Sequence, residues 1–148
     1  MTNIVKVLFT GKAHTVINHE PDANRRNHEV VDIGLSAVGG ENHDFIAALP
    51  HPIAGQLSAR SWSACYISAL GFAASLKKVA LPADAAVDIQ VDEGATGPGW
   101  FPGAKLTVHL PGVAQDVAVA IAHSAHRICP YSMAVNGNVE VAVTVVTA

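Results

Sequence analysis

Residues 125–141, AHRICPYSMAVNGNVEV, join a helix-like run to a strand-like run. Upstream of the join, the spacing predicts a helix over 113–128, whose periodic apolar residues are Val113, Val117, Ile121, Ala125 and Ile128. Pro130 is expected to end this helix, because proline breaks the hydrogen-bond ladder of a helix interior. The strict alternation of NVEVAVTVV, 138–146, then predicts a closing strand. The stretch therefore places Cys129 at a helix end, next to a proline.

The only other cysteine, Cys65, lies 64 residues before Cys129. It falls inside a segment, Gln56 to about Val79, that contains no proline and only one glycine. Apolar residues fall on nearly every side of this segment, which predicts a helix buried all round. The basic pair Lys77–Lys78 suits the C-terminal end of such a helix. We therefore expect Cys65 to sit inside a central helix.

The remaining pattern predicts strands and loops around these two helices. Strands are predicted at 4–10, 11–18, 30–36, 86–93, from 105 onward, and at 138–146. The first three are expected to form an antiparallel meander, with a polar loop at 19–29. The glycine- and proline-rich stretch 95–104 is interpreted as a hairpin tip or a pocket lid. Runs of strands interrupted by two helices predict the α+β class.

Length and charge bound the function. The 148 residues suit one domain, 1–148, and half of them are apolar, which favours an oligomer with buried surface between subunits. The net charge is −3 and no basic run exceeds two residues, so nucleic-acid binding is not expected. Neither a signal peptide nor a membrane span is indicated, and a cytoplasmic location is expected. In that reducing compartment, two cysteines are more often redox-active or buried than permanently bridged.

Histidines are numerous but do not form a recognisable metal motif. None of the eight histidines joins a Cys/His/Asp grouping with the short spacing of a structural zinc site, so no metal and no bound cofactor are predicted. His126 lies one turn before Cys129, where it could tune a thiol or serve as a hydrogen-bonded histidine near the helix end.

Two segments carry a resemblance to a known family. The chain resembles the organic hydroperoxide resistance branch of the OsmC-like family through residues 125–141 and through residues 62–92, WSACYISALGFAASLKKVALPADAAVDIQVD. The first matches the family's His-x-x-Cys-Pro-Tyr-Ser segment, and the second matches its cysteine helix and the strand after it. The resemblance implies an intertwined homodimer, in which antiparallel sheets from both subunits wrap two central helices.

The resemblance also implies a reaction, the thiol-dependent reduction of organic hydroperoxides. Cys65 would attack the peroxide and become a sulfenic acid, and Cys129 would resolve it as a Cys65–Cys129 disulfide. An external dithiol of the lipoyl type would reduce that disulfide. An apolar pocket would favour alkyl or fatty-acid hydroperoxides, and its expected residues are Gln56, Trp62, Tyr66, Phe72 and Phe101.

The sequence departs from the family at two positions that concern thiol activation. Burial raises the pKa of a thiol, so an attacking cysteine needs a nearby cation. The family supplies an arginine held by a glutamate, but here His19 stands where that arginine is expected and Gly55 where the glutamate is expected. Arg25, Arg26, Arg60 or His19 itself could supply the charge. Arg60 would lie about 140° around an ideal helix from Cys65 and so would not flank it directly.

The residues leave alternatives open. A diverged member could keep the fold and bind a small lipophilic ligand without peroxidase turnover, which the two departures favour. The cysteines could also be inert core residues of a purely structural dimer, since free cysteine is commonly buried.

Overall fold

The computed structural model describes residue 4, residues 6–16 and residues 53–148. Its elements are the strand β1 (Lys6–Val16), the helix α1 (Ile53–Leu76), the strands β2 (Ala86–Thr96) and β3 (Gly99–His109), the helices α2 (Gln115–Ile128) and α3 (Pro130–Val135), and the strand β4 (Glu140–Val146). The α+β class is confirmed. The strand expected at 30–36 lies outside the described residues.

The four strands form one sheet in the order β1-β2-β3-β4. β1 pairs with β2 and β2 with β3 in antiparallel fashion, but β4 lies parallel to β3. The expectation of purely antiparallel sheets is therefore wrong at this pair. The reason is that α2 and α3 carry the chain back across the sheet before β4 begins, which is the connection that parallel strands require.

Two further strand expectations need correction. The strands expected at 4–10 and 11–18 are a single strand, β1. Its backbone pairs with β2 along its whole length, with one irregularity between Val7 and Phe9. The stretch 95–104 is not all loop, since β2 runs to Thr96 and β3 starts at Gly99. The turn is confined to two residues and opens with Gly97 at φ 59°, a left-handed conformation that suits glycine.

Helix α1 packs one face against the sheet and against α2. The fully buried side chains on that face include Trp62, Tyr66 and Leu70. Phe72 and Leu76 are instead 56% and 65% exposed, so within a single chain the helix is not buried all round as the sequence suggested. The inward face follows the three-to-four-residue spacing of an amphipathic helix. The outward face mixes exposed serines with the apolar Phe72 and Leu76 near the C-terminal end of the helix.

The first turn of α1 is fixed on β1 by a close backbone approach. A Cβ built on Gly11 would lie 2.1 Å from the carbonyl carbon of Gly55, so only glycine fits there. Next to this contact, the Gln56 side chain accepts a hydrogen bond from the Lys12 N–H at 3.0 Å and donates one to the Lys12 carbonyl at 2.6 Å. The Gln56 amide thus pairs with the Lys12 backbone as a neighbouring strand residue would, and this pairing fixes the position of the start of α1 along β1.

Pro130 ends α2, as predicted, and also begins α3, which the sequence analysis did not foresee. Cys129 has φ −66° and ψ 119°, the extended conformation that a following proline favours. Pro130 then occupies the first turn of α3, where a missing N–H does no harm. The Cys129 N–H donates to Ala125 O at 2.8 Å and its carbonyl accepts from Met133 N–H at 3.0 Å. Both backbone polar groups of Cys129 are therefore hydrogen-bonded at the junction of the two helices.

Candidate functional site

The two cysteines meet where α1 crosses the junction of α2 and α3. The Cys129 thiol donates to Cys65 Sγ, with the two sulfurs 3.3 Å apart and both cysteines unbridged. Cys129 is completely buried, whereas Cys65 is partly exposed. A covalent S–S bond is about 2.05 Å long, so a small side-chain movement would bring the pair to bonding distance. The fold thus creates a dithiol from residues that lie 64 apart in sequence.

Buried polar contacts hold the helices around this pair. The Trp62 indole N–H donates to Ser132 Oγ at 2.9 Å, and both side chains are at most 2% exposed. The Trp62 ring also stacks on Tyr131, with ring centroids 5.2 Å apart. On the next turn of α1, the Tyr66 hydroxyl donates to Ala122 O on α2 at 2.8 Å. Residues on either side of Cys65 therefore fix both α2 and α3 against it.

The electrostatics around Cys65 oppose ionisation. Burial raises the pKa of the Cys65 thiol, a hydrogen bond from the Tyr131 backbone lowers it, and the neighbouring Cys129 raises it again, for a net increase. Burial, together with Cys129, likewise raises the pKa of Tyr66. Burial and the neighbouring His123 lower the pKa of His126, which keeps that imidazole neutral to lower pH. A reactive thiolate at Cys65 therefore requires positive charge from a further group.

An apolar cavity of about 310 Å³ is lined by Trp62 and Tyr131, which neighbour the cysteines in sequence, but neither cysteine is among its lining residues. Trp62, one turn before Cys65, lies in its wall with Tyr131, and the β2–β3 hairpin supplies Trp100 and Phe101. The volume lies at the lower end of the range typical of small-molecule pockets, about 300–1,000 Å³. Its walls suit an alkyl or aryl group rather than a small hydrophilic peroxide.

The structure separates the expected pocket residues. Trp62 and Phe101 line the cavity. Tyr66 is fully buried between α1 and α2, and Phe72 faces outward. Gln56 is occupied by the backbone of β1.

The expected activating residues are placed only in part. Arg60 is exposed on α1 and is not among the described residues that line the cavity. His19, Arg25 and Arg26 lie outside the described residues. Over the described ranges, no group of three His, Cys, Asp or Glu side chains is arranged to hold a metal ion. No helix in those ranges is long and apolar enough to cross a bilayer.

Three residues of the site were missed by the sequence analysis. Tyr131 provides the backbone hydrogen bond to Cys65, and Ser132 accepts from Trp62. Glu93 lies in the cavity wall. Glu93 could have been found from the alternation of β2, because it lies two residues after Val91 and so on the same face of the strand. Nothing in the sequence indicates that Trp62 contacts Ser132.

Comparison with known proteins places this site in context. Residues 50–144 match the model of the family described as OsmC-like protein. An organic hydroperoxide resistance protein of Xanthomonas axonopodis pv. citri is 32% identical over 147 residues, covering 97% of this chain and 99% of its own length. An uncharacterised Acinetobacter baylyi protein is 40% identical over 92 residues, covering 62% of this chain.

A solved structure of an organic hydroperoxide resistance protein is also similar to this chain. An organic hydroperoxide resistance protein from Legionella pneumophila superposes with a TM-score of 0.58 at 37% identity, covering 62% of this chain. The matched part spans 66% of the Legionella chain and 64% of the Acinetobacter protein, just under two thirds of each.

Proposed function

The chain belongs to the OsmC-like family, and on that premise we propose that it is a thiol-dependent peroxidase that reduces organic hydroperoxides to alcohols. The names of its relatives support a role in peroxide detoxification. The observation that carries the proposal is the 3.3 Å approach of the Cys65 and Cys129 sulfurs. We assign the attack to Cys65, because it is partly exposed while Cys129 is fully buried.

The chemistry balances in three steps. The Cys65 thiolate attacks the distal oxygen of the hydroperoxide, so an S–O bond forms, the O–O bond breaks and the departing alkoxide takes up a proton as the alcohol. Cys129 then attacks the Cys65 sulfenic acid, forming the disulfide and releasing water that carries the Cys129 proton. An external dithiol, of the lipoyl type in this proposal, returns both cysteines to thiols by two exchange steps and is itself oxidised to a disulfide.

The protein's own groups assist these steps. The hydrogen bond from the Tyr131 backbone stabilises charge on Cys65. The cavity walls bind the organic group of the hydroperoxide and exclude water from it. In this proposal, the cation that opposes the effect of burial on Cys65 comes from one of four candidates, His19, Arg25, Arg26 or Arg60. We rank Arg60 last, because its side chain is exposed.

Thiol titration with cumene hydroperoxide tests the function. One equivalent of peroxide should consume two thiols per chain in the wild type. Cys65→Ser should abolish consumption, whereas Cys129→Ser should stop at a sulfenic acid that dimedone traps. The Cys129→Ser variant is the matched control, since it loses one of the same pair of thiols. Full peroxidase activity in Cys65→Ser would refute the assignment.

A second function, binding of a lipophilic ligand without turnover, is favoured by two observations. Burial leaves the Cys65 thiol with a raised pKa, and the cavity is lined by large apolar side chains. Thiols that stay unchanged in excess hydroperoxide, together with saturable binding of a fatty acid, would select this function over the first.

We also propose that the chain forms a homodimer through the outward face of α1. Phe72 and Leu76 are large apolar side chains that a single chain leaves exposed, and burying them would be favourable. Light scattering tests this, with Phe72→Glu expected to shift the mass toward the monomer. An unchanged monomeric mass for the wild type would refute it.

A further inference from the structure

The two reduced thiols form a pair whose separation is set by the fold. The Cys65 and Cys129 sulfurs lie 3.3 Å apart without a covalent bond between them. The hydrogen bond from Trp62 to Ser132 holds α1 against α3 beside the pair, and the backbone of Cys129 is bonded on both sides. Two thiols held in this way can bind one atom through two sulfurs with little loss of conformational freedom, which favours chelation.

The sulfur separation selects the bond angle at the atom that is bound. Two bonds of about 2.3 Å, the length of a zinc–thiolate bond, place their sulfurs about 4.6 Å apart when collinear, about 3.8 Å apart at the tetrahedral angle and about 3.3 Å apart at a right angle. The observed 3.3 Å therefore fits a centre whose bonds to sulfur meet near a right angle. Trivalent arsenic is such a centre, because its lone pair makes it pyramidal and its bonds to sulfur are of similar length.

The number of available ligands narrows the choice further. The chain has two cysteines, and the described ranges contain no group of three His, Cys, Asp or Glu side chains that could hold a metal ion. A structural zinc site takes four such ligands. Inorganic trivalent arsenic has three exchangeable positions, one more than the chain has thiols. A monosubstituted arsenical, R–As(OH)₂, has two exchangeable hydroxyls, and its third valence is already filled by carbon.

The organic substituent would have apolar neighbours. Tyr131 links the thiol pair to the apolar cavity, because its backbone N–H bonds Cys65 and the same residue lines the cavity. Trp62, one turn before Cys65, lines the cavity as well and stacks on the Tyr131 ring with centroids 5.2 Å apart. These aromatic side chains favour an aryl substituent, which can pack against them.

We propose that the reduced Cys65–Cys129 pair is a binding site for aryl-substituted trivalent arsenicals. Cys65 reacts first because it is partly exposed: an S–As bond forms, and the thiol proton leaves with one arsenic hydroxyl as water. Cys129 forms the second S–As bond and releases the second water. Neither step changes an oxidation state. The bridged product carries no net charge, so the complete burial of Cys129 does not oppose it.

Phenylarsine oxide, which hydrates to phenyl-As(OH)₂, is the probe that tests this proposal. One equivalent per chain should remove both thiols of the reduced wild type from a thiol titration. Intact-protein mass spectrometry should show one phenylarsenic group in place of two hydrogen atoms. Excess glutathione, a monothiol, should leave this adduct in place, whereas dimercaptopropanol should restore both thiols. Loss of only one thiol in the wild type would overturn the proposal.

Single-cysteine variants measure the contribution of the second bond. Cys65→Ser and Cys129→Ser can each form one S–As bond only. The glutathione concentration that removes half of the phenylarsenic should therefore fall at least about a hundredfold in either variant, since a second linked contact raises affinity by about 10²–10⁴. Half-removal at the wild-type concentration in both variants would contradict a two-sulfur site.

A variant with two separated thiols is the matched control. Asp116→Cys in the Cys129→Ser background keeps two cysteines per chain, but position 116 lies about 20 Å from position 129 along α2, at about 1.5 Å per residue. It should lose phenylarsenic to glutathione as readily as Cys129→Ser does, and wild-type retention there would overturn the proposal.

Capture requires only the two reduced thiols, so its outcome is independent of the proposed peroxidase function. A wild type that reduces hydroperoxide but holds phenylarsenic no better than Cys129→Ser would overturn the arsenical site alone. A glutathione-resistant adduct in a protein that reduces no hydroperoxide would support the arsenical site and count against the peroxidase.

Discussion

The hydrogen bond between Trp62 and Ser132 yields a prediction whose size follows from burial. Trp62→Phe removes the indole N–H and leaves the Ser132 hydroxyl, 1% exposed, without its donor. Ser132→Ala leaves the indole N–H, in a side chain 2% exposed, without its acceptor. A buried polar group stripped of its partner costs about 1–3 kcal/mol of stability. Each single variant should therefore lower the free energy of unfolding by roughly that amount.

The double variant separates this effect from lost packing. Trp62→Phe with Ser132→Ala removes both polar groups, so neither is left unsatisfied, and its cost should fall short of the sum of the singles by about 1–2 kcal/mol. The assay is urea unfolding at one fixed protein concentration, because association would otherwise shift the apparent stability. Additivity to within about 0.5 kcal/mol would refute the reasoning, since it would mean that the two groups do not depend on each other.

Three further predictions concern the rest of the fold. Gly11→Ala should strongly lower the melting temperature, because its Cβ would overlap the backbone of α1. Gly71→Ala should instead stabilise the helix by about 0.5–1 kcal/mol, because nothing lies within 4 Å of its Cβ. Equal effects of the two variants would contradict this prediction. Tyr66→Phe should cost about 1 kcal/mol in urea unfolding by removing the buried bond to Ala122 O, and no loss would show that this bond is dispensable. Burial raises the pKa of Asp88, but hydrogen bonds from His14 and His109 outweigh it, so the net pKa is lowered. Asp88 therefore stabilises the protein at pH values above its unfolded-state pKa of about 3.9, and this contribution is lost as the pH falls through its folded-state pKa. The stability difference between wild type and Asp88→Asn should shrink accordingly in acid titrations, and a difference that widens there would refute the assignment.

Most helices and strands could be predicted from the sequence, because apolar residues recur in them at helical or alternating spacing. The helix over 113–128 and the closing strand were visible from period and alternation, and Pro130 marked the boundary between them. The parallel direction of β4 was not visible, because it depends on how α2 and α3 together return the chain across the sheet, which is a tertiary feature. The short α3 was hidden because Pro130 both ends one helix and begins the next.

The site was predictable only where a family pattern or a strand pattern carried it. The 64-residue separation of the cysteines says nothing about their distance, and their pairing was expected from the resemblance alone. Glu93 was detectable in principle, as a glutamate at an inward position of an alternating strand. Gln56 was expected in the pocket, but its amide meets the Lys12 backbone, a tertiary contact that no local sequence rule encodes.

The extended conformation of Cys129 determines how much of the molecule must rearrange during a redox cycle. This residue belongs to neither α2 nor α3, and its own N–H and carbonyl are already bonded to Ala125 and Met133. Its sulfur can therefore swing toward Cys65 about the Cα–Cβ bond without fraying a helical turn. The backbone would then keep one conformation through oxidation and reduction, and only a few side-chain torsion angles would change in each cycle.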